Sequence, residues 1–243
     1  MENKMYNWLK NVINNEYRFI RNIRRTDDTI INVMENQHNG ERVLVKEVLG
    51  SALVYKELIK ITHKNIPIVY EVASDETHSI IVEEYIDGIT VGDILETGVY
   101  TSDGVRTIVT QLSDALYFLH GRGIVHRDIK PENIMISNEG EVKLVDFDIS
   151  RIKGNEGGKD TVILGTTGFA APEQFGISET DARSDIYAIG ILINVMLTGE
   201  HPAKVLCKGK WRRIVNKCTK INPDERYQTV EEMIKAMKYI GLG

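Results

Sequence analysis

Between His126 and Phe147 the chain reads HRDIKPENIMISNEGEVKLVDF, and no other stretch limits its fold as tightly. Ile124-Val125, Ile134-Met135-Ile136 and EVKLVDF read as short, mostly apolar strands separated by turn residues. Asp128, Asn133 and Asp146 therefore fall in turns, where strands end and side chains are left to do chemistry. A carboxylate able to orient a hydroxyl, an amide oxygen and a second carboxylate suit a site that holds Mg²⁺ against phosphates. An Asp with an Asn five residues on is also what an ordinary turn uses to bond its own backbone, so the triplet alone leaves both readings open. Its surroundings decide between them: His126-Arg127 before it, Lys130-Pro131-Glu132 inside it, and Ala171-Pro172-Glu173 downstream in the same order as a known signature.

That signature, H-R-D-x-x-x-x-N followed by D-F and A-P-E, resembles the eukaryotic-type (Hanks-type) serine/threonine protein kinases. In its brevity the chain is similar to compact bacterial members. The resemblance implies an α+β, two-lobed fold, with a small antiparallel β-rich N-lobe carrying one helix over about 17–83 and a larger, mainly helical C-lobe over about 88–243. ATP would lie between them. It also implies roles: Asp128 orients the acceptor hydroxyl, Lys130 steadies the transferring phosphoryl group, and Asn133 and Asp146 hold Mg²⁺, with Mn²⁺ as a substitute. Lys46 would contact the α- and β-phosphates, Leu44 and Met135 would form roof and floor of the adenine pocket, and Glu84 and Ile86 would offer it backbone groups. Lys130, two residues after Asp128, resembles serine/threonine rather than tyrosine kinases.

The 243 residues suffice for a sizeable two-lobed core with trimmed loops. A formal charge of -5 gives no electrostatic case for nucleic acid or an anionic membrane surface. Cys207 and Cys218 lack CxxC or His partners, which points to reduced thiols in a cytoplasmic protein. No secretory leader pattern opens the chain, and the longest apolar run, from Ala188 to Leu197, is too short to span a bilayer and reads as a buried helix.

Residues 1–16 carry Met5, Trp8, Leu9, Val12 and Ile13 at helical spacing, an amphipathic helix expected to pack on the small lobe. Asn39-Gly40 marks a hairpin between Ile30 to Met34 and Arg42 to Val48. Lys46 alternates with apolar neighbours and so projects from one sheet face. Before it, the three positions where the family has glycines hold Arg24, Thr26 and Thr29, and no glycine precedes Gly40. Asp27 and Asp28 form the tip of that loop and would repel a triphosphate, partly offset by Arg24 and Arg25. Glu57, in a short helix from Leu53 to Ile61, is the expected ion-pair partner of Lys46, with Glu47 as a fallback that points the wrong way along its strand. Ile61 is expected to couple that helix to Asp146. Glu83 sits where the family guards its back pocket; the plain reading is a strand carboxylate reaching a nearby lysine or water.

Val105 to Leu119 spaces its apolar residues as a long helix that Gly121 and Gly123 end. Asp148 stands where the family has glycine. By the same resemblance Thr166 bonds Asp128 and Lys130, Glu173 pairs with Arg226, and Asp185 holds the backbone of the catalytic turn. Arg127 would receive an activation-loop phosphate, on Thr161 first and on Ser150 or Thr167 less readily. Between Gly199 and Trp211 only a short connection remains, so the docking surface is reduced. The implied partner is a signalling substrate protein with a Ser or Thr acceptor, this chain included; oligomeric state does not follow. A pseudokinase acting as a binding module and a small-molecule phosphotransferase of related fold are the alternatives. The glycine-free loop and Asp148 motivate the first, while intact Lys46, Asp128, Asn133 and Asp146 argue against it; the GTTG and APE segments disfavour the second.

Overall fold

The computed structural model describes residues 2–152, 166, 168–175, 180–238 and 240. The chain divides into two compact units, residues 1–87 and 88–243.

The first unit is a five-stranded antiparallel sheet in the order β1-β2-β3-β5-β4, built from β1 (Tyr17–Arg25), β2 (Thr29–Asn36), β3 (Arg42–Leu49), β4 (Val69–Ser74) and β5 (His78–Glu84). The β2–β3 connection carries the foreseen Asn39-Gly40 turn, where Gly40 adopts φ 76, a left-handed value that glycine takes without strain. Strand alternation gives the sheet two faces. Val43, Val45, Ala73, Ile80 and Val82 line one of them, and helix α1 (Glu2–Glu16) covers it with Tyr6, Leu9 and Ile13. The helix therefore belongs to this unit's core. Its buried stripe is rotated from the expected one, since Met5 and Trp8 are 44% and 50% exposed. A stripe through Leu9 can lean to either side, and contact with the sheet residues Val43, Val45, Ala73, Ile80 and Val82 selects the Tyr6–Ile13 side. The opposite face carries Lys46, beside the short helix α2 (Leu53–Leu58). Edge strand β1 is exposed over most of its length and carries Arg18, Arg21, Arg24 and Arg25, charges that discourage pairing with another chain.

The second unit is mainly helical. Thr90 and Asp93 form a reciprocal capping box on α3 (Val91–Leu95), and Thr101 caps α4 (Ser102–His120), whose buried face is the one expected from its spacing. Short strands β6 (Gly88–Thr90), β8 (Ile134–Ser137) and β9 (Val142–Leu144) make one sheet; β7 (Ile124–Val125) pairs with β10 (Arg151–Ile152). Helix α5 (Ala182–Thr198) is buried on nearly every side, starts at the Asp181 cap and ends at Gly199 with φ 73. It packs against α6 (Gly209–Cys218), and α7 (Val230–Met237) closes the bundle. The approach of α5 to α6 is close: a Cβ on Gly190 would sit 2.5 Å from Cys218 Cβ. Cys207 and Cys218 are both free and buried. Among the described residues no helix is long and apolar enough to cross a membrane.

Candidate active site

The turn from His126 to Asn133 leaves β7 with Arg127 at φ 71, a conformation that disfavours any residue with a Cβ. What holds it there is Asp185, in the first turn of α5 and fully buried. Its Oδ2 accepts the His126 N–H at 2.9 Å and its Oδ1 the Arg127 N–H at 2.8 Å. His120 Nε2 lies 2.8 Å from Oδ2. Burial alone would raise the Asp185 carboxyl, but these bonds outweigh it and hold the group below the usual carboxylate range. From the other side, Gln174 Nε2 donates to the Arg127 carbonyl at 2.8 Å, while its Oε1 accepts the Ala171 N–H at 3.0 Å. Sequence reading missed Gln174; its one signal is an amide directly after Ala171-Pro172-Glu173. His126 Nδ1 accepts from Asp128 N–H and its Nε2 faces the Val145 carbonyl, which suits the neutral Nε2–H tautomer. Burial pushes this imidazole below its ordinary value, against the pull of Asp185.

Within the turn the polar groups converge. Asp128 Oδ1 accepts the Thr166 hydroxyl at 2.7 Å; its Oδ2 accepts Lys130 Nζ and Asn133 Nδ2, both at 2.8 Å. Lys130 also donates to Thr166 Oγ1 at 2.8 Å, closing a three-membered network. Asn133 sits on a 3-10 turn, Pro131–Asn133, which Pro131 starts with its fixed φ. Its Nδ2 donates a second bond to the Asp128 carbonyl, so its Oδ1 is the atom left to act as a ligand. The Val145 N–H donates to the Asn133 carbonyl at 2.9 Å, extending the β8–β9 ladder and bringing Asp146 to the same end of the sheet as Asn133. Asp146 takes φ 65, and Phe147 turns inward, buried edge-on against His126 at 4.8 Å. The strained residue is Asp146, and Asp148 lies outside the left-handed region, so the loss of glycine at 148 costs the backbone nothing here. An amide oxygen and a carboxylate are hard donors that suit Mg²⁺ completed by substrate oxygens, because Mg²⁺ is commonly held by one or two carboxylates plus phosphates. Among the described residues no group of three His, Cys, Asp or Glu is placed to hold a metal ion by itself.

Behind the turn, Arg226 and Glu173 form the expected pair, bidentate at 2.7 and 2.8 Å, with Arg226 fully buried. The remaining guanidinium N–H groups donate to the carbonyls of Lys220, Arg183 and Ile221. Ser184 Oγ donates to Glu173 Oε1 at 2.7 Å. Burial would raise the Glu173 carboxyl, yet the bonds from Arg226 and Ser184 bring it below the usual range.

In the first unit, Lys46 departs from expectation. Its Nζ lies 2.8 Å from Glu83 Oε1 and donates to the Tyr55 hydroxyl at 3.0 Å, with the Lys46 and Glu83 side chains 3% and 4% exposed. Glu57, expected as its partner, is 46% exposed and pairs with Lys60 at 2.7 Å. With α2 only six residues long, Tyr55, two positions before Glu57, faces the sheet and Glu57 faces outward. The Glu83 carboxylate reaches a nearby lysine, as its strand position allowed, and that lysine is Lys46. Leu44 is half-buried on the same face, opposite Glu83 in register. Glu84 commits its N–H to the Ile68 carbonyl and its carboxylate to the Ile68 N–H. Ile86 is buried just after β5, and Met135 is half-buried on β8 opposite Lys143. Asp27 and Asp28 form a tight exposed turn, closed by Thr26 N–H to the Thr29 carbonyl and tied to β3 by Leu49 N–H to the Asp28 carbonyl, each at 2.8 Å. Of the foreseen phosphate acceptors, Ser150 donates its hydroxyl to the His126 carbonyl at 3.1 Å. Thr161, and Gly165 and Thr167 of the GTTG segment, lie outside the described residues.

Comparison with known proteins adds to this geometry. The chain is 35% identical over 204 residues to the serine/threonine-protein kinase PknB of Mycolicibacterium smegmatis, 71% of this chain and 33% of that protein. PknB of Mycobacterium tuberculosis gives the same identity and coverage. PknL of Mycobacterium tuberculosis is 32% identical over 182 residues, 74% of this chain and 45% of that protein. The chain thus spans about a third to under half the length of these relatives. The protein kinase domain family matches residues 30–240. This chain belongs to the protein kinase domain family.

Proposed function

We propose that the chain is an ATP-dependent serine/threonine protein kinase that transfers the γ-phosphoryl group of ATP to Ser or Thr hydroxyls of a protein, itself included. The observation that carries this reading is the network centred on Asp128, whose carboxylate meets Thr166, Lys130 and Asn133 at 2.7 to 2.8 Å, with Lys130 also bonded to Thr166 at 2.8 Å. Asp128 accepts a hydrogen bond from the incoming hydroxyl and aims its oxygen, with Asn133 and Thr166 fixing the carboxylate's plane. Lys130, tied to Asp128 and Thr166, puts a positive charge beside the transferring group, where it stabilises charge that grows in the transition state. Asn133 Oδ1 and Asp146 are the groups that hold Mg²⁺; when bound, the ion neutralises the phosphate oxygens. Lys46 holds the α- and β-phosphates, Leu44 and Met135 contact the adenine faces, and the backbone at Glu84 and Ile86 meets its edge.

The same reading includes regulation. Ser150 and Thr166 have their hydroxyls engaged, so a phosphate that answers to Arg127 falls on Thr161 or Thr167, and mass spectrometry of protein incubated with ATP should find it there. The protein acts in the cytoplasm as a signalling enzyme, its two cysteines reduced. The test of the activity is incubation with labelled ATP, Mg²⁺ and a generic basic protein, wild type against Asp128→Asn. Label on protein with wild type and background with the variant is expected; equal label with both would overturn the assignment.

A further inference from the structure

Lys46 has one task in the proposed kinase, to hold nucleotide phosphates, and an ammonium on a four-carbon stem does so only if something fixes it. The side chain is buried and its countercharge, Glu83, is buried with it. The two lie on neighbouring strands: Lys46 is opposite Ile81, and Glu83 is two residues further along β5, on the same face. Such a diagonal pair is anchored at both ends by backbone hydrogen bonds, and the β3–β5 register runs unbroken from Val43–Glu84 to Leu49–His78. A lysine paired to a helix carboxylate loses its partner when the helix moves. A lysine paired within a sheet keeps it unless the ladder opens.

Helix α2 confirms the division of labour. It has six residues and no side-chain cap at its start, and it is buried through Val54, Tyr55 and Leu58. What it gives Lys46 is the neutral hydroxyl of Tyr55, whose ring also lies 5.3 Å from Nζ. Its acid, Glu57, is spent on Lys60 at the surface.

We propose that Glu83 is the positioning residue for Lys46, in place of an acid on α2, and that nucleotide binding is thereby uncoupled from any carboxylate of that helix. The proposal rests on Lys46 being the phosphate-holding lysine. Tyr55 acts as a secondary, uncharged steadying group.

The experiment measures kcat and the KM for ATP and for a protein acceptor, with melting temperature, for full-length Lys46→Met, Glu83→Gln, Tyr55→Phe and Glu57→Gln. Glu83→Gln should raise the KM for ATP at least tenfold and leave that for the acceptor unchanged, a split that a general loss of folded protein does not produce. Tyr55→Phe should raise it by a smaller factor, and Glu57→Gln should stay within twofold of wild type in every parameter. A tenfold loss of ATP affinity in Glu57→Gln overturns the proposal, whether or not Glu83→Gln folds. So does a wild-type KM for ATP in Glu83→Gln. Lys46→Met separates the two levels: activity and ATP affinity equal to wild type there would remove the reading on which the proposal stands, whereas a loss there with an intact Glu83→Gln would remove the proposal alone.

Discussion

In the second unit one buried carboxylate, Asp185, grips a strained turn by its backbone, and four polar side chains follow from that grip; in the first unit the sheet grips a buried ion pair, Lys46–Glu83, through its own ladder. The turn needs a left-handed Arg127, a buried anchor and an amide clamp, so few residues suit each place and the segment reads as a signature. The strand pair needs only two alternate positions on one face, with opposite charge. Many sequences meet that condition, so the partner of a strand lysine can migrate from a helix to a strand without leaving a pattern.

The sharpest way to test the first half of this contrast is to remove the carboxylate proposed to hold the metal. Asp146→Asn leaves the turn in place but takes away a ligand charge worth several kcal/mol in the transition state, so turnover should fall by about a thousandfold or more. Unchanged turnover in a steady-state assay would break the assignment of Asp146.

Next in size is the pair that supports the turn from behind. Arg226→Met leaves Glu173 buried without its countercharge and should cost about 3 to 5 kcal/mol in urea denaturation, while adding Glu173→Leu should return most of that loss. If the double variant is as unstable as the single, packing and the carbonyl contacts of Arg226 outweigh the ion pair.

A smaller effect reads the buried groups of the second unit by pH. The His126 imidazole is neutral and held low by burial, so the unfolded chain takes up its proton first as pH falls through about 6.5. Stability should therefore be level between about pH 7 and pH 8, decline below that, and decline again in the acid range, where Asp185 and Glu173 lose the benefit of carboxyls held below their usual values. Urea titrations between about pH 4 and pH 8 read this directly; a rise in stability on acidification would contradict the burial of a neutral His126.

How much could be read beforehand differs between the units for the same physical reason. Asp128, Lys130, Thr166, Asp185 and the Glu173–Arg226 pair stand where the resemblance put them, because a turn with fixed backbone fixes side-chain direction. Gln174 carries only a weak signal, an amide directly after Ala171-Pro172-Glu173, and its bonds to the Arg127 carbonyl and the Ala171 N–H appear only once the turn is folded. The phase of α1 was misjudged by one residue, since Trp8 and Tyr6 both fit an apolar stripe and only the sheet chooses between them. Glu57 was misplaced because a six-residue helix turns different residues toward the sheet than a longer one does.

The smallest expected effect concerns the turn at Asp27 and Asp28. Both are exposed, where salt and water screen their repulsion of a triphosphate, so changing both to Asn should tighten ATP binding by no more than a few-fold, and Arg24→Ala with Arg25→Ala should loosen it similarly. Equal affinities by calorimetry would mean that the turn takes no part.

The claim that the sheet, and not the helix, holds the nucleotide lysine is tested most directly by a double-mutant cycle on ATP affinity. Calorimetric titration of wild type, Lys46→Met, Glu83→Gln and the double variant should give a coupling of about 1 kcal/mol or more, and the parallel cycle of Lys46→Met with Glu57→Gln should give less than about 0.5 kcal/mol. Coupling confined to the Glu57 cycle would contradict the account.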